Sequence, residues 1–269
     1  MSKILAVTNQ KGGVGKTTTS VNLAASLAAT KRRILLIDMD PQGNATMGSG
    51  INKHELATTS CDVLLGDAEI DATIISLEDW RYDLLPGNSE LTLAEVKLMN
   101  MFGREFKLKT ALEAVSANYD YIIIDCPPSL NMLTVNAMVA AEGVIIPMQC
   151  EYYALEGLSA LMKTIEDIRD SVNDKLKVEG LLRTMYDPRN NLAQEVSEQL
   201  VEHFGERVYN SIIPRNVTLA EAPSYGTPAL HYERQSRGAL AYLALAGEIL
   251  RRDQNQHTTT YQTESTTHG

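Results

Sequence analysis

The chain has 269 residues, 44% of them hydrophobic, which is enough to bury one sizeable core in a single α/β domain. Its formal net charge of −10 opposes a general attraction to nucleic acid or anionic lipid, so any DNA site must be a local patch. No apolar run reaches the roughly eighteen residues of a membrane span, and no signal-peptide pattern is present, which predicts a cytoplasmic protein.

A glycine-rich loop follows the first apolar run, at residues 4–7. It reads Asn-Gln-Lys-Gly-Gly-Val-Gly-Lys-Thr-Thr and leads into a helical pattern from Lys16 to about Ala29. Glycines let successive N–H groups approach a phosphate chain, and the helix adds its positive N-terminal end. This order predicts a nucleotide-binding P-loop, in which Lys16 contacts the β- and γ-phosphates and the Thr17 hydroxyl binds Mg²⁺. The expected nucleotide contacts are Lys11, Gly12, Gly13, Val14, Gly15, Lys16, Thr17 and Thr18.

Two later apolar runs each end in an aspartate. Residues 33–38 read as a strand buried on both faces that ends in Asp38-Met39-Asp40, at the edge where ligands of open α/β sheets bind. A strand-ending turn with Asx caps would also explain these aspartates. Residues 121–125 end in Asp125 before two prolines, a pattern that matches Walker B and predicts a carboxylate for a magnesium-bound water.

The remaining pattern predicts a doubly wound, mostly parallel sheet flanked by helices, an α/β domain over residues 1–252. Residues 48–80 give no clear assignment, and the polar residues 253–269 predict a disordered tail. The other predicted strands are 83–85, 143–148, 178–185 and 208–213. Of the other predicted helices, one begins at Ser89, one covers 104–117, one follows the segment 149–158 and continues to about Val172, and one covers 236–252.

Five segments together carry a family resemblance, and the loop with its early lysine, Lys11, is the most specific of them. The chain resembles the deviant Walker A ATPases of the ParA/MinD family, and within it the small chromosomal ParA (Soj) type. The resemblance implies an ATPase that acts as a dimerisation switch in chromosome or plasmid partition. An ATP-bound homodimer would bind double-stranded DNA of the nucleoid without reading its sequence, and a ParB-like partner would stimulate hydrolysis and release. The segments are residues 9–18, 38–44, 121–129, 149–157 and 213–226.

The resemblance also implies catalytic and metal-binding roles. Lys11 would reach across the dimer interface to the partner's nucleotide, and Asp40 would orient the attacking water, so that these two residues and Lys16 form the catalytic set. Residues 149–157 would lie at the dimer face. The implied magnesium site consists of Thr17, Asp38 and Asp125.

Two late loops would complete the site. The resemblance places adenine recognition there, with Pro214 packed on the base and Asn216 in the same loop. It also implies that Arg189 and Arg215 bind DNA, and guanidinium groups suit phosphate because they donate to two oxygens at once. Surface arginines also commonly pair with nearby acids, and that alternative remains open.

Two other functions are compatible with the same scaffold. A MinD-like membrane-associated positioning ATPase would carry a basic amphipathic C-terminal helix, which residues 253–269 do not resemble. A metabolic or redox ATPase, such as a reductase or amidoligase, would need a second substrate domain or cluster-bridging cysteines. Cys61, Cys126 and Cys150 lack C-x-x-C spacing, and we expect buried thiols.

Overall fold

The first strand lies near the middle of a seven-stranded sheet, whose order is β3-β4-β2-β5-β1-β6-β7. The computed structural model describes residues 2–152 and 154–266, with side chains through residue 255. Neighbouring strands pair in parallel, except that β3 runs antiparallel to β4 at one edge. The predicted mostly parallel, doubly wound sheet is therefore confirmed. The strands are β1 Lys3–Val7, β2 Ile34–Asp38, β3 Ile75–Leu77, β4 Tyr82–Leu85, β5 Tyr121–Asp125, β6 Gly143–Met148 and β7 Lys177–Arg183.

Helices cover both faces of this sheet, because alternate strand residues face opposite sides. In β1, Leu5 and Val7 join a core with Ala24 and Tyr242, whereas Ala6 joins a second core on the other face. The helices are α1 Lys16–Ala29, α2 Asn44–Gly48, α3 Ser60–Leu65, α4 Ile70–Thr73, α5 Leu91–Leu98, α6 Lys107–Leu112, α7 Met132–Ala140, α8 Ala154–Ser171, α9 Asn191–Phe204, α10 Val217–Glu221, α11 Ala229–Tyr232 and α12 Arg237–Thr266.

The sheet register brings the ends of three strands together. Asp125 of β5 is the register partner of Val7 on one side and of Asp38 on the other. The glycine-rich loop leaves β1 at this same edge. Carboxylates from separate parts of the chain therefore meet beside the loop, at the edge of the sheet where open α/β folds bind ligands.

The segment 208–213, for which we predicted a strand, does not form one. It touches β7 through one bridge, Leu181 with Val208, and a second bridge, Tyr186 with Pro214, joins the residues that follow each of the two. The carboxylate of Glu248 on α12 accepts the N–H groups of residues 210 and 211, at 2.9 and 2.8 Å. Those N–H groups are thereby directed to a helix side chain instead of a strand ladder.

Two other segments also differ from the predicted pattern. Residues 104–117 form a 3₁₀ turn (Arg104–Phe106), α6 and a second 3₁₀ turn, not one helix. Asn136 explains the first break, since its amide donates to the Arg104 carbonyl at 2.8 Å and its carbonyl accepts the Leu108 N–H at 3.1 Å. In the unassigned segment 48–80, a capping box of Thr59 and Asp62 begins α3.

The last helix continues past Arg252, where we predicted the domain to end. It runs to Thr266, so that the structure places helix over residues 253–266, for which we predicted disorder. Asp253 accepts hydrogen bonds from Lys3 and the Tyr121 hydroxyl, which anchors the helix at the base of β1 and β5. Each further turn then extends a helix that is already nucleated, at little cost. Residues 267–269 lie outside the described part of the chain.

Within the described residues, no helix is both long enough and apolar enough to cross a membrane. The three cysteines are free and buried, as the sequence led us to expect.

Candidate functional site

The glycine-rich loop between β1 and α1 is held in shape by side chains from neighbouring strands. Gly13 and Gly15 have φ angles of 73° and 87°, in the left-handed region that favours glycine. The Thr184 hydroxyl donates to the Val14 carbonyl at 2.7 Å, and the Gln149 amide lies 3.2 Å from the Gly13 carbonyl. The loop carbonyls are thus bound from the ends of β6 and β7.

The N–H groups of the loop, unlike its carbonyl groups, have no hydrogen-bond partner among the described residues of the neighbouring strands. Within the described residues, the N–H groups of residues 12–18 donate to no protein acceptor, and the first such bond of the helix comes from Thr19 to the Gly15 carbonyl at 2.9 Å. A run of free N–H groups at the positive end of the 14-residue helix α1 forms an anion-binding site.

Lys16 is buried at the start of α1, with its ammonium group 3.1 Å from the Lys11 carbonyl. Burial lowers the pKa of Lys16, while the negative charges of Asp125 and Asp40 oppose that shift. The lysine therefore lies between the anion-binding loop and the carboxylates at the strand ends, where it can contact a phosphate chain.

Two fully buried carboxylates lie beside each other below this loop. Asp125 accepts the Thr17 hydroxyl at 2.8 Å and the Ser20 hydroxyl at 2.7 Å. Asp38 accepts the N–H and hydroxyl of Thr46, at 2.8 and 2.7 Å. Burial raises the pKa of both carboxyl groups, and the charge of Asp38 raises the pKa of Asp125 further. A cation at this point would relieve that unfavourable burial.

The donor set fits Mg²⁺. Thr17, Asp38 and Asp125 present only oxygen atoms, which are the ligands that this ion prefers. No group of three His, Cys, Asp or Glu residues able to hold a metal occurs in the described part of the chain. That fits an ion bound through few side chains and completed by phosphate and water. Both oxygens of Asp38 already accept protein hydrogen bonds, which suits a residue that assists the other magnesium ligands.

Asp40 begins the turn between β2 and α2. Its carboxylate accepts the Gln42 N–H at 2.9 Å, so the Asx turn considered from the sequence is present. The Asp40 side chain is buried, and its charge raises the pKa of Lys16, which places the carboxylate near the site. The turn and the catalytic interpretation are therefore compatible at this residue.

The Lys11 side chain lies on the surface of the glycine-rich loop. Its half-exposed ammonium group pairs with Glu151 at 2.5 Å, across the gap to the segment that follows β6. Asn9 fixes the backbone here, because its side chain accepts the Lys11 N–H at 3.0 Å and donates to the Pro147 carbonyl at 2.9 Å. The Lys11 ammonium group is thus bound to Glu151 on the surface, whereas the Lys11 carbonyl accepts the Lys16 ammonium group.

The structure places the late loops together, but not all their side chains are free. Pro214 bridges to Tyr186, and Asn216 caps α10 by accepting the Leu219 N–H at 3.3 Å. The exposed Arg189 forms a two-point ion pair with Asp187, with N–O distances of 3.0 and 2.8 Å. Pairing with an acid, which we considered as an alternative for the arginines, is therefore present at Arg189.

Sequence reasoning missed four side chains that shape the site: Ser20, Thr46, Gln149 and Thr184. Gln149 and Thr184 follow directly after β6 and β7, so their place at the carboxyl edge of a parallel sheet was an available signal. The roles of Ser20 and Thr46 depend on which strand ends meet.

The fold and the loop define a P-loop nucleotide-binding protein. The family model described as "AAA domain" matches residues 2–178. The chain is 52% identical to the Bacillus subtilis sporulation initiation inhibitor protein Soj over 93% of this chain and 98% of that protein. It is 48% identical to the Caulobacter vibrioides chromosome partitioning protein ParA over 94% of this chain and 96% of that protein. The chain belongs to the ParA/MinD family of P-loop ATPases, as predicted.

A solved structure agrees with this assignment of the fold. Cobyrinic acid a,c-diamide synthase from Mycobacterium smegmatis, solved with bound ATP analog and magnesium, superposes with a TM-score of 0.84 at 38% identity. The match covers 94% of this chain and 96% of that one.

Proposed function

We propose that this chain is an ATP-dependent dimerisation switch for chromosome or plasmid partition. ATP and Mg²⁺ are its substrate and metal, in keeping with the ligands of the M. smegmatis structure. The observation that carries the proposal is the surface position of Lys11 beside an otherwise complete phosphate loop, because it leaves one lysine for its own nucleotide and one for a partner's.

One subunit supplies the nucleotide site and every proposed catalytic group except the partner's early lysine. The free N–H groups of residues 12–18 hold the phosphate oxygens, and the Lys16 ammonium adds charge to them. Thr17 and Asp125 hold the metal, with Asp38 positioned beside them. Magnesium bound there supplies the positive charge that offsets charge developing on the β- and γ-oxygens. Asp40 orients the water that attacks.

Dimerisation follows from the surface next to the loop. Lys11 has only a solvent-exposed ion pair with Glu151 to break before it can reach another subunit, and such pairs contribute about 0 to 1 kcal/mol. Gly12 lies beside it, and a side chain built there would meet nothing within 4 Å in the single subunit. The loop thus presents an open surface without a projecting side chain at Gly12, on which a second copy can pack with the nucleotide between the two.

DNA binding is assigned to arginines on the late loops, because the chain as a whole is acidic. Arg189 and Arg215 are exposed on loops that lie together, and we assign them to phosphates of double-stranded DNA. The names of the Soj and ParA relatives support a partition role, in which a ParB-like protein stimulates hydrolysis. The protein would then work in the cytoplasm, on the nucleoid. The base would lie near Pro214 and Asn216.

A metabolic function is the second candidate, and the name of the M. smegmatis structure favours it. An amidoligase would need to activate a carboxylic acid substrate with ATP, and its turnover would depend on that acid and on an amide donor. DNA would not change its turnover. The Soj and ParA relatives are more similar to this chain over a comparable length, which is why we place partition first.

Binding to duplex DNA of arbitrary sequence, with ATP and with ADP, tests the proposal. We expect ATP to produce a dimer in sedimentation and to permit DNA binding, and ADP to do neither. Equal DNA affinity with the two nucleotides would refute the switch. Flotation with liposomes in the same buffers would reveal a membrane-associated positioning ATPase instead.

A further inference from the structure

A cleft of about 400 Å³ lies between the loop after β7, the segment at Pro214 and the start of α12. Its lining includes three arginines, Arg189, Arg215 and Arg237, and one acid, Asp187. We propose that this cleft seats a backbone phosphate of DNA, that Arg237 is a third phosphate-binding residue, and that Asp187 competes with the phosphate for Arg189. The inference rests on the DNA binding proposed above.

Charge is the first argument. Arg215 and Arg237 are both exposed, and among the described residues neither side chain forms a hydrogen bond or a direct ion pair, although the charge of Arg215 acts on Asp187. Unpaired guanidinium groups that meet at one cleft form a local positive patch on a chain whose net charge is −10. Such a patch attracts a doubly hydrogen-bonding anion of phosphate geometry.

The second argument is rigidity, because the three arginines come from separate segments that are bound to one another. The Tyr186 N–H donates to the Ile213 carbonyl at 3.0 Å, and the Arg215 N–H donates to the Tyr186 carbonyl at 3.3 Å. These bonds hold the loop of Arg189 against the loop of Arg215.

The start of α12 packs closely against the loop that contains Arg215, at Gly238. A Cβ built at Gly238 would lie 2.9 Å from the Asn216 side-chain oxygen and 2.5 Å from Leu219, so only glycine lets the helix come this near. Arg237, the preceding residue, is thereby positioned beside Pro214 and Arg215. It is also the first residue of a long helix, where the N-terminal end of the dipole favours an anion.

Asp187 already behaves as the anion of this cleft. It accepts two hydrogen bonds from the Arg189 guanidinium and a third from the Arg189 N–H at 3.0 Å. These bonds lower the pKa of Asp187 to about 2, and the charge of Arg215 contributes to the same shift. The carboxylate is therefore ionised at neutral pH, and it holds the Arg189 donors that a phosphate would otherwise use.

The experiment compares variants of the full chain with ATP and Mg²⁺, using anisotropy of a labelled duplex of arbitrary sequence from 50 to 200 mM salt. Arg237→Ala removes one contact per subunit and two per dimer, so the log–log salt slope should flatten by about 2. Over this range the parental affinity should then fall about tenfold more than that of the variant. Arg237→Lys keeps the charge and should keep most of the slope.

Arg33→Ala is the control, because Arg33 is an exposed arginine like Arg237 but precedes β2 at the amino ends of the strands, where it pairs with Asp120. We expect its slope to equal that of the parent. Asp187→Asn releases the Arg189 donors and should tighten DNA binding several-fold.

Pro214, beside which we place the adenine base, also lines this cleft, so the ATP affinity of each variant is measured by titration. We expect ATP affinity and ATP-dependent dimerisation, the latter measured by sedimentation, to be unchanged. A loss of ATP affinity in Arg237→Ala would assign the cleft to the nucleotide and overturn its assignment to DNA.

The outcomes separate this inference from the function on which it rests. A parental protein that binds no DNA with ATP refutes the proposed function. A parental protein that does bind, together with an unchanged salt slope in Arg237→Ala and an unchanged DNA affinity in Asp187→Asn, refutes the cleft. Weaker binding by Asp187→Asn would show that the acid supports the site and does not compete for it.

A final arm distinguishes the source of the phosphate. Inorganic phosphate replaces chloride at matched ionic strength. We expect millimolar phosphate to leave the parental complex with DNA in place. Displacement from the parent but not from Arg237→Ala would assign the cleft to a small free anion, and would overturn its assignment to DNA.

Discussion

Lys16 is the residue whose replacement should abolish nucleotide binding. Its ammonium group is buried beside the loop of free N–H groups, so Lys16→Ala removes a charged hydrogen bond worth about 1.5 to 3 kcal/mol for each phosphate oxygen it contacts. ATP affinity should therefore collapse, as measured by titration calorimetry. Lys11→Ala is the control, because that lysine lies outside the phosphate site of its own subunit and should leave affinity in the monomer nearly unchanged.

Asp40 should separate binding from turnover. Asp40→Ala removes the group that we propose to orient water, so it should lower the hydrolysis rate about 100-fold or more, while ATP should still bind and dimers should still form. The carboxylate also stabilises a turn through the Gln42 N–H, so Asp40→Asn, which keeps that acceptor, shows whether the charge or the turn matters. Parental phosphate release by both variants would exclude the catalytic role.

At the scale of residues, the sequence located the two buried carboxylates but not the side chains that form hydrogen bonds with them. Asp38 and Asp125 could be placed because each ends an apolar strand, and both proved to be buried at one edge of the sheet. Ser20 and Thr46 could not, because their hydroxyls matter only once β2, β5 and α1 have met. The pairing of Arg189 with Asp187, two residues away, was within reach of the sequence and was overlooked.

Among the elements, the end of β7 fixes the phosphate loop through Thr184. Thr184→Val removes the hydroxyl that binds the Val14 carbonyl at 2.7 Å and leaves a buried acceptor without its partner. Loss of such a bond costs about 1 kcal/mol, so ATP affinity should fall roughly fivefold. Thr184→Ser keeps the hydroxyl and should bind as the parent does. If both variants bound ATP equally well, the loop would not depend on this strand end.

Element predictions succeeded where a single local signal was enough. α1 and β5 begin and end where the sequence predicted them. The P-loop and the long helical pattern after it define α1, and a buried apolar run that ends in an aspartate defines β5. The segment 208–213 has a strand-like sequence, yet Glu248 from the far end of the chain binds two of its N–H groups. No local pattern contains that contact.

On the scale of the whole molecule, Gly12 tests whether two copies meet at the loop. Gly12→Val adds a side chain that meets nothing within 4 Å in one subunit, so nucleotide affinity should stay within about twofold of the parent. The same side chain would project into an apposed loop and prevent ATP-dependent dimerisation in sedimentation. Gly13→Val is the contrasting control, since a φ of 73° disfavours any side chain there and binding itself should suffer. A Gly12→Val protein that dimerised normally would move the interface elsewhere.

We expect DNA binding to depend on the dimer as a whole, because one acidic subunit would offer few phosphate contacts and two joined subunits would double them on one rigid body. Arg215→Ala should flatten the log–log salt slope by about 2 and weaken every duplex sequence alike, without changing ATP binding or dimerisation. Arg189→Ala should act in the same direction but more weakly, since Asp187 already holds that guanidinium, whereas Arg215 has no side-chain partner among the described residues. The difference between the two should vanish in an Asp187→Asn background. Loss confined to particular sequences would indicate base recognition, and a larger effect of Arg189→Ala would contradict the competition that the ion pair implies.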